Sequence, residues 1–357
     1  MNFEKTLREN QDRINNALKN FLDNLIKNSD KDLHTQNLRL LKHYILSGGK
    51  RLRLMALYKV YESYAEEKQK IIIPGLCIEL LHTSTLVFDD IMDEDDYRRN
   101  SMGIQYKLKK EYLKKNNEKK YQGNIFSSAS KRYAASRSML IGLYCEMLSR
   151  KVLHESEFSE QKINKALSML DISIKECILG QTMDIEMEGS DDCEEEDYLE
   201  MIYLKTGSLF TRGMQIGAIL GGAEPEQIDL IFEYGKNISS AFQIQDDIMD
   251  ISPDLKKGNT FASDIIKGKT TILAIKAWEF SDKNEKIKNL LGKPDISKKE
   301  IREVVRIFKE SGSVGYAQDL AEQKIRTAND VIEKIDMNHK TKQFFRKFSE
   351  YMLKRKI

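Results

Sequence analysis

Apolar positions recur along nearly the whole chain at the three- and four-residue spacing of amphipathic helices. This spacing places apolar side chains on one face of a helix. Strand-like alternation is scarce, and only four prolines interrupt the 357 residues. The pattern predicts an all-α fold. One clear example is the series Leu199, Ile202, Tyr203, Leu209, Phe210 and Met214.

Glycine and proline positions mark the breaks between the predicted helices. A first helix is expected within residues 1–30, and the glycine pair in 47–49 divides a second amphipathic stretch over 34–64. Pro74 starts the next predicted helix, because proline is tolerated in a first helical turn. No linker has the composition of a domain boundary. We therefore expect one domain over 1–357, with a single insertion.

Composition and cysteine spacing exclude several classes of protein. Hydrophobic residues make up 40% of the chain, and the net charge of +2 gives no global signal for binding nucleic acid. The polar amino-terminal sequence does not resemble a signal peptide, and no uninterrupted apolar run reaches the roughly 18 residues of a membrane span. These features predict a cytoplasmic protein without stable membrane insertion. Neither a zinc site nor a disulfide framework is indicated by Cys77, Cys145, Cys177 and Cys193.

A lysine-rich segment at about 106–132 stands out from this balanced background. It holds nine lysine or arginine residues against two glutamates. Two interpretations remain open: a solvated insertion, which such charge runs usually form, or a contact with an anionic surface.

The pentapeptide Asp-Asp-Ile-Met-Asp occurs twice, at 89–93 and at 246–250. On a helix, the first and last aspartates of each run share a face. Carboxylates in apolar surroundings are costly unless a cation pairs with them, and a cluster of oxygen ligands suits a hard cation such as Mg²⁺. The predicted metal ligands are therefore Asp89, Asp90, Asp93, Asp246, Asp247 and Asp250.

Cations flank both aspartate runs. The motif GGKRLR at 48–53 joins a glycine turn to three cations, and glycines let a backbone approach a ligand closely. Arg98 and Arg99 follow the first run, Lys205 lies in an apolar stretch, and lysines also occur in 263–270 after the second run. Lysine and arginine complement diphosphate groups. Together these motifs predict a site for two anionic substrates.

The chain resembles the trans-isoprenyl diphosphate synthases, the farnesyl and geranylgeranyl diphosphate synthase group. The similarity extends over most of the chain in family order. The matching motifs are GGKRLR (48–53), ELLHTSTLVFDDIMDEDDYRR (79–99), GQTMD (180–184), KTGSLF (205–210), FQIQDDIMD (242–250) and SDIIKGKTT (263–271).

The resemblance implies an all-helical isoprenoid synthase fold around a central cavity, in a homodimer, with three Mg²⁺ ions held by the six aspartates. It implies condensation of isopentenyl diphosphate with an allylic diphosphate. The residues matched to the allylic diphosphate and its carbocation are Arg98, Lys205, Thr206, Gln243 and Lys269. The residues matched to isopentenyl diphosphate are Lys50, Arg53, His82 and Arg99.

The helix before Asp89 bears on product length. The family closes the pocket at fifteen carbons with a bulky aromatic four or five residues before the first aspartate, where this chain has Thr85 and Ser84. These small residues predict a pocket open to twenty carbons or somewhat more, with Leu81 as its floor.

Three departures and two alternatives accompany the resemblance. The family's Gly-Lys after the second run reads Gly258-Asn259 in this chain. The family's glycine after the Arg-Arg pair is Asn100 here, and its Gly-Asp pair in the following helix reads Gly142-Leu143. A catalytically silent regulatory subunit would keep the fold without turnover. A terpene cyclase of related fold would lack the elements for a second diphosphate.

Overall fold

The computed structural model describes residues 3–190, 192–252 and 261–353, and over these ranges the chain is almost entirely helical. The all-α prediction is confirmed. Within the described part, β-structure is limited to a hairpin of two-residue strands, β1 (Tyr97–Arg98) and β2 (Ser101–Met102), and an isolated bridge between Lys120 and Ser128.

The chain divides into two compact units, residues 1–167 and 168–357. The family resemblance spans both units, and the expectation of one domain stays a prediction. The helices of the first unit are α1 (Phe3–Lys27), α2 (Asp32–Leu46), α3 (Leu52–Tyr64), α4 (Ile72–Met92), α5 (Ile104–Lys115) and α6 (Ala129–His154).

Helix α7 (Glu160–Glu186) contains the division between the units. In the second unit a π-helical turn (Tyr203–Gly207) joins α8 to α9 without a break. The remaining helices are α8 (Glu195–Ile202), α9 (Ser208–Gly221), α10 (Pro225–Asp250), α11 (Ser263–Lys267), α12 (Ile272–Phe280), α13 (Asn284–Leu290), α14 (Lys298–Glu310), α15 (Ser313–Lys334) and α16 (His339–Leu353).

The glycine turn between α2 and α3 forms where the sequence predicts it. Gly48 and Gly49 have φ angles of 144° and 115°, a region that side chains with a Cβ atom rarely adopt. Arg51 follows with its guanidinium buried, and its Nη1 atom lies 3.0 Å from Glu79 Oε2 on α4. A buried ion pair of this kind fixes the turn against α4, since breaking one partner would leave a buried charge.

Helix α4 is the centre of the first unit and packs along α6. The Cys145 thiol donates to the Leu80 carbonyl oxygen at 3.1 Å, and Ser84 Oγ donates to the Gly142 carbonyl oxygen at 2.8 Å. Both bonds require close approach of the two helices. The four cysteines are free in the structure.

Helix α4 bears on the expectation of no stable membrane insertion, which stays a prediction. By length and composition, Ile72–Met92 could cross a membrane, and it is the single helix in the described ranges with this property. The sequence prediction counted only uninterrupted apolar runs, whereas this helix combines apolar residues with glycine, serine, threonine and histidine. Most of the helix is buried within the protein, as expected of a core helix.

Helix α10 is the centre of the second unit and packs against α9, α15 and α16. The Tyr234 hydroxyl donates to the Phe345 carbonyl oxygen at 3.0 Å, and the two rings meet edge to face at 5.3 Å. Phe344 and Phe348 complete an aromatic cluster with Phe345. This packing holds the helix that carries the second aspartate run.

Candidate active site

Each aspartate run stands at the carboxyl-terminal end of a long helix, α4 or α10. The Asp93 amide donates to the Asp89 carbonyl oxygen at 2.9 Å, so the first and last residues of that run are one turn apart. The carboxyl end of a helix carries partial negative charge, which disfavours carboxylates there. Both runs therefore occupy positions that a bound cation would stabilise.

In the first run, Asp90 is fully buried and Asp89 is partly exposed. Asp90 accepts hydrogen bonds from the Tyr44 hydroxyl at 2.7 Å and from Arg98 Nε. Arg98 Nη2 also donates to Asp89 Oδ2 at 2.8 Å. Burial raises the pKa of Asp90, although Arg98 and Tyr44 oppose this rise. Arg98 thus bridges two adjacent aspartates.

The second run repeats this arrangement around its own middle aspartate. Asp247 is buried and accepts hydrogen bonds from the Tyr198 hydroxyl at 2.7 Å and from Gln243 Nε2 at 2.9 Å. Burial raises the pKa of Asp247 to about 7. In both runs, a tyrosine hydroxyl from another helix fixes the middle aspartate.

The last aspartate of the second run organises the chain that follows it. Asp250 accepts hydrogen bonds from the Ser263 hydroxyl at 2.9 Å and from the Asp264 amide at 3.1 Å. Asp93 and Asp246 are partly exposed. The Asn259 departure, with the neighbouring Lys256 and Lys257, lies outside the described residues.

The donor set suits a divalent cation that also binds phosphate. Over the described ranges, no three carboxylate, imidazole or thiol groups converge closely enough to hold a metal ion by themselves. Mg²⁺ typically binds one or two carboxylates and completes its shell with water and substrate phosphates. Partly exposed Asp89, Asp93 and Asp246 fit this mode, whereas Asp90 and Asp247 are buried and each already accepts two hydrogen bonds from protein donors.

An arginine–histidine cluster lies in the first unit. Arg53 Nη1 is 3.3 Å from His82 Nε2, and a guanidinium can only donate, so this nitrogen accepts and the imidazole is neutral. Burial lowers the pKa of His82 well below 6.5, and Arg53, Arg99, Arg98 and Arg51 lower it further. Several cations around one neutral imidazole form an anion-binding environment.

The glycine turn belongs to the same environment. Arg99 Nη1 donates to the Gly48 carbonyl oxygen at 2.6 Å, and a Cβ atom at Gly49 would lie 2.8 Å from that nitrogen. Glycine is needed here because the guanidinium lies against the backbone. Lys50 is exposed at the end of the turn. The structure therefore brings Arg53, His82 and Arg99 together and places Lys50 beside them in sequence.

In the second unit, the two predicted lysines converge on a residue to which the sequence prediction gave no role. Lys205 Nζ lies 2.6 Å from Asp184 Oδ2, and Lys269 Nζ contacts the same oxygen and Glu188 Oε1. Burial alone would raise the pKa of Asp184, but the two lysines hold it below its ordinary value. Asp184 ends the GQTMD motif, and the periodicity alone gave no sign of its partners.

The π-helical turn positions Lys205 and Thr206. Helix α7 approaches this turn so closely that a Cβ atom at Gly180 would lie 2.1 Å from the Lys205 amide nitrogen. π-Helical turns of this kind are frequent at functional sites. The helical spacing of the apolar series from Leu199 to Met214 did not reveal this turn, since apolar periodicity does not distinguish a one-residue bulge.

The residues predicted to set product length differ in their surroundings. Leu81 and Ser84 are buried, and Ser84 faces α6 through its bond to Gly142. Thr85 is partly buried and lies one helical turn before Asp89, with its hydroxyl donating to the His82 carbonyl oxygen at 2.9 Å. Thr85 therefore shares the face of the first aspartate.

The chain is similar to known proteins over most of its length. Residues 35–308 match the family model of polyprenyl synthetase. A geranylgeranyl diphosphate synthase of Sulfolobus acidocaldarius is 32% identical over 324 residues, covering 86% of this chain and 88% of the relative. The chain therefore belongs to the polyprenyl synthetase family, a family of prenyltransferases that use a divalent metal ion.

Two solved structures share the fold. Geranylgeranyl pyrophosphate synthetase from Pyrococcus horikoshii aligns with a TM-score of 0.83 at 27% identity, over 99% of this chain and 100% of the other. Geranylgeranyl pyrophosphate synthase from Corynebacterium glutamicum, complexed with isoprenyl diphosphate and magnesium, aligns with a TM-score of 0.86 at 21% identity, over 96% and 98%. The second similarity bears on the fold alone.

Proposed function

We propose that this protein is a chain-elongating prenyltransferase. It condenses isopentenyl diphosphate head to tail with an allylic diphosphate and releases diphosphate, giving geranylgeranyl diphosphate or a somewhat longer product. The observation that carries this proposal is the repeated arrangement of Asp89–Asp93 and Asp246–Asp250. Each is a helix-terminal run whose middle aspartate is buried and bonded to a tyrosine hydroxyl at 2.7 Å.

The proposal assigns both runs to the metal ions of one leaving diphosphate. Asp89, Asp93 and Asp246 supply the accessible carboxylates, while Asp90, Asp247 and Asp250 shape the runs through their protein bonds. Bound Mg²⁺, three ions in the expected site, supplies charge neutralisation for the leaving diphosphate. Oxygen-only donors support Mg²⁺ over softer metals.

The reaction begins with heterolysis of the allylic C–O bond, and the electron pair leaves with the diphosphate. The double bond of isopentenyl diphosphate attacks the allylic carbon, forming one C–C bond and a tertiary cation. A proton then leaves the carbon next to that cation, and the departed diphosphate accepts it. Lys205, Lys269 and Arg98 stabilise the charge that develops on the leaving group. The Thr206 hydroxyl and the Gln243 side-chain carbonyl supply dipoles toward the carbocation.

The arginine–histidine cluster fits the second substrate. Isopentenyl diphosphate keeps its diphosphate throughout, so its site needs permanent cations and no leaving-group metal. Arg53, Arg99 and Lys50 meet this requirement, and the neutral His82 can donate from Nδ1 without titrating near neutral pH.

A single assay separates the proposed activity from its alternatives. Purified protein is incubated with labelled isopentenyl diphosphate, dimethylallyl, geranyl or farnesyl diphosphate, and Mg²⁺, with EDTA as the control. The proposal predicts extended prenyl diphosphates that disappear with EDTA. Absence of turnover would indicate a silent regulatory subunit, and a cyclic hydrocarbon would indicate a terpene cyclase.

The proposal includes a homodimer formed through α6. This helix exposes an apolar stripe whose Leu140 and Leu143 side chains are 63% and 58% exposed. Met139 and Met147 extend the stripe by helical spacing. Apolar surface of this kind is typical of interfaces. Light scattering after gel filtration tests this part: a dimeric mass is expected, and Leu143→Glu is expected to give a monomer.

A further inference from the structure

The lysine-rich segment has no role in the proposed chemistry, yet it concentrates the positive charge of the chain. Residues 106–132 contain nine lysine or arginine residues and two glutamates, in a chain whose total charge is only +2. The remaining residues are therefore net negative. We name α5 together with residues 116–128 the basic arm.

The helical half of the basic arm presents its charge outward. Leu108 is fully buried where α5 packs on α6. Lys110 and Lys114 lie on the opposite face and are exposed, and Leu113 between them is 41% exposed. Within the part of the chain that the structure describes, no carboxylate forms an ion pair with the lysines of the arm, which are Lys107, Lys109, Lys110, Lys114, Lys115, Lys119 and Lys120.

The second half of the basic arm is a folded loop. The Ala129 amide donates to the Lys119 carbonyl oxygen at 2.9 Å, and Glu118 accepts from the Ser130 amide at 3.2 Å. These bonds close the base of the loop on the start of α6. At its tip Ile125 is 86% exposed, the highest value among the large exposed apolar side chains of the described ranges. A folded loop thus displays an aliphatic side chain in the same segment as the exposed Lys119 and Lys120.

Two tyrosine rings of this region already have a cation over them, and Phe126 is partly buried. Lys110 Nζ lies 4.5 Å from the centre of the Tyr106 ring, and the Arg132 guanidinium lies 5.0 Å from that of Tyr121. Single-stranded nucleic acid is bound largely by stacking bases on open aromatic faces. The available groups are instead ammonium ions and exposed Leu113 and Ile125. Basic residues combined with aliphatic side chains fit the interface of an anionic bilayer.

We propose that the basic arm docks on the surface of an anionic lipid bilayer. Its lysines contact lipid phosphates, and Ile125 and Leu113 enter the interface without crossing the bilayer. The arm starts beside the first aspartate run, where Gln105 Nε2 donates to the Asp90 carbonyl oxygen at 3.1 Å. Docking would therefore hold that run near the membrane. The advantage of docking for the enzyme rests on the proposed function, since a prenyl diphosphate product of twenty carbons partitions into lipid.

Vesicle sedimentation tests the docking. The full chain is mixed with phosphatidylcholine vesicles or with vesicles that also contain phosphatidylglycerol, at low and high salt. Binding is expected only to the anionic vesicles and is expected to weaken with salt. In the arm variant, glutamine replaces Lys114, Lys115, Lys119 and Lys120. The partition coefficient of this variant onto anionic vesicles is expected to be at least tenfold lower than that of the unmodified chain. Ile125→Ser is expected to weaken binding severalfold.

A matched variant removes the same four charges elsewhere. Glutamine replaces four exposed lysines of the second unit, Lys298, Lys299, Lys309 and Lys340. This control is expected to bind as the unmodified chain does. Equal losses in both variants, or no vesicle binding at all, would overturn the proposal. Binding to a single-stranded RNA in place of vesicles would also overturn it and assign the arm to nucleic acid.

The prenyl transfer assay without vesicles is run on the same variants. Unchanged extension is expected, because the arm residues replaced in these variants are not among the residues of the proposed site; Gln105, the arm residue bonded to Asp90, is kept. Vesicle binding without extension would contradict the proposed function and leave the docking standing. Extension without vesicle binding would contradict the docking and leave the proposed function standing.

Discussion

The Tyr198 hydroxyl donates a hydrogen bond to Asp247 Oδ2 at 2.7 Å, and both side chains are buried. Tyr44 and Asp90 form the equivalent pair at the same distance in the first unit. A donor to a buried carboxylate fixes its orientation and leaves fewer lone pairs available to a metal. The pair therefore links the packing of the helices to the geometry of the neighbouring accessible aspartates.

Replacing Tyr198 with phenylalanine tests this link. The change removes one donor from a buried carboxylate and is expected to cost about 1–3 kcal/mol of unfolding free energy. Activity at low Mg²⁺ is expected to fall about 10- to 100-fold, as for other residues that orient metal ligands. Activity measured across a Mg²⁺ titration checks this. Tyr234→Phe removes another buried hydroxyl away from the runs and is expected to lower stability without shifting the Mg²⁺ dependence.

Gly180→Ala tests the close approach of α7 to the π-helical turn. The new Cβ atom would meet the Lys205 amide nitrogen at 2.1 Å and the Leu204 carbonyl carbon at 2.6 Å. Backbone cannot yield as a side chain does, so a loss of about 1–3 kcal/mol and at least tenfold lower turnover are expected. Gly315→Ala is the control, since no heavy atom lies within 4 Å of its added Cβ atom. Equal melting temperatures and rates in the two variants would contradict the account.

Thr85→Phe is expected to shorten the product. Thr85 lies one turn before Asp89 on the same face of α4, so an aromatic ring there is expected to block the path that we propose for the elongating tail. Chromatography of the extracted products is expected to show a shift from twenty carbons to fifteen. Ser84→Ala is the neighbouring control, because Ser84 faces Gly142 on α6 and its loss removes only a hydrogen bond. An unchanged product from Thr85→Phe would contradict the assigned path.

The neutral state of His82 predicts a pH dependence of stability. Its folded pKa lies well below 6.5, mainly because of burial and then because of Arg53 and Arg99. The unfolded chain therefore binds the proton more readily than the folded chain. The stability that neutral His82 contributes is present above pH 6.5 and is lost as the pH falls toward the folded pKa. Urea unfolding at pH 5.5 and 7.5 is expected to show a smaller acid loss in His82→Gln than in the unmodified chain.

Much of the fold follows from local sequence because it depends on periodicity and helix breaks. The glycines at 48 and 49 end α2 through positive φ angles, and the aspartate runs fall at helix ends. These features need only the neighbouring residues. The short hairpin of β1 and β2 and the folded loop of the basic arm depend on hydrogen bonds between residues that are not neighbours in sequence. One of these joins the Ser130 amide to Glu118, and apolar periodicity does not encode such bonds.

In the candidate site, too, local sequence predicts some features and not others. The residue types and spacing identify the aspartates and the cations, but not which side chains pair in the folded protein. Arg51 and Arg53 are two positions apart, yet the first is buried against Glu79 and the second contacts His82. Asp184 received no predicted role because its partners, Lys205 and Lys269, are distant in sequence.

The central claim is that both aspartate runs act on the same leaving diphosphate. The most direct measurement is the turnover of Asp89→Ala and of Asp246→Ala in the labelled isopentenyl diphosphate assay, with circular dichroism confirming intact folding. Each variant is expected to lose at least about 100-fold in turnover, which corresponds to roughly 2.7 kcal/mol of transition-state stabilisation. A folded Asp246→Ala protein that extends the allylic primer at the normal rate would contradict the claim.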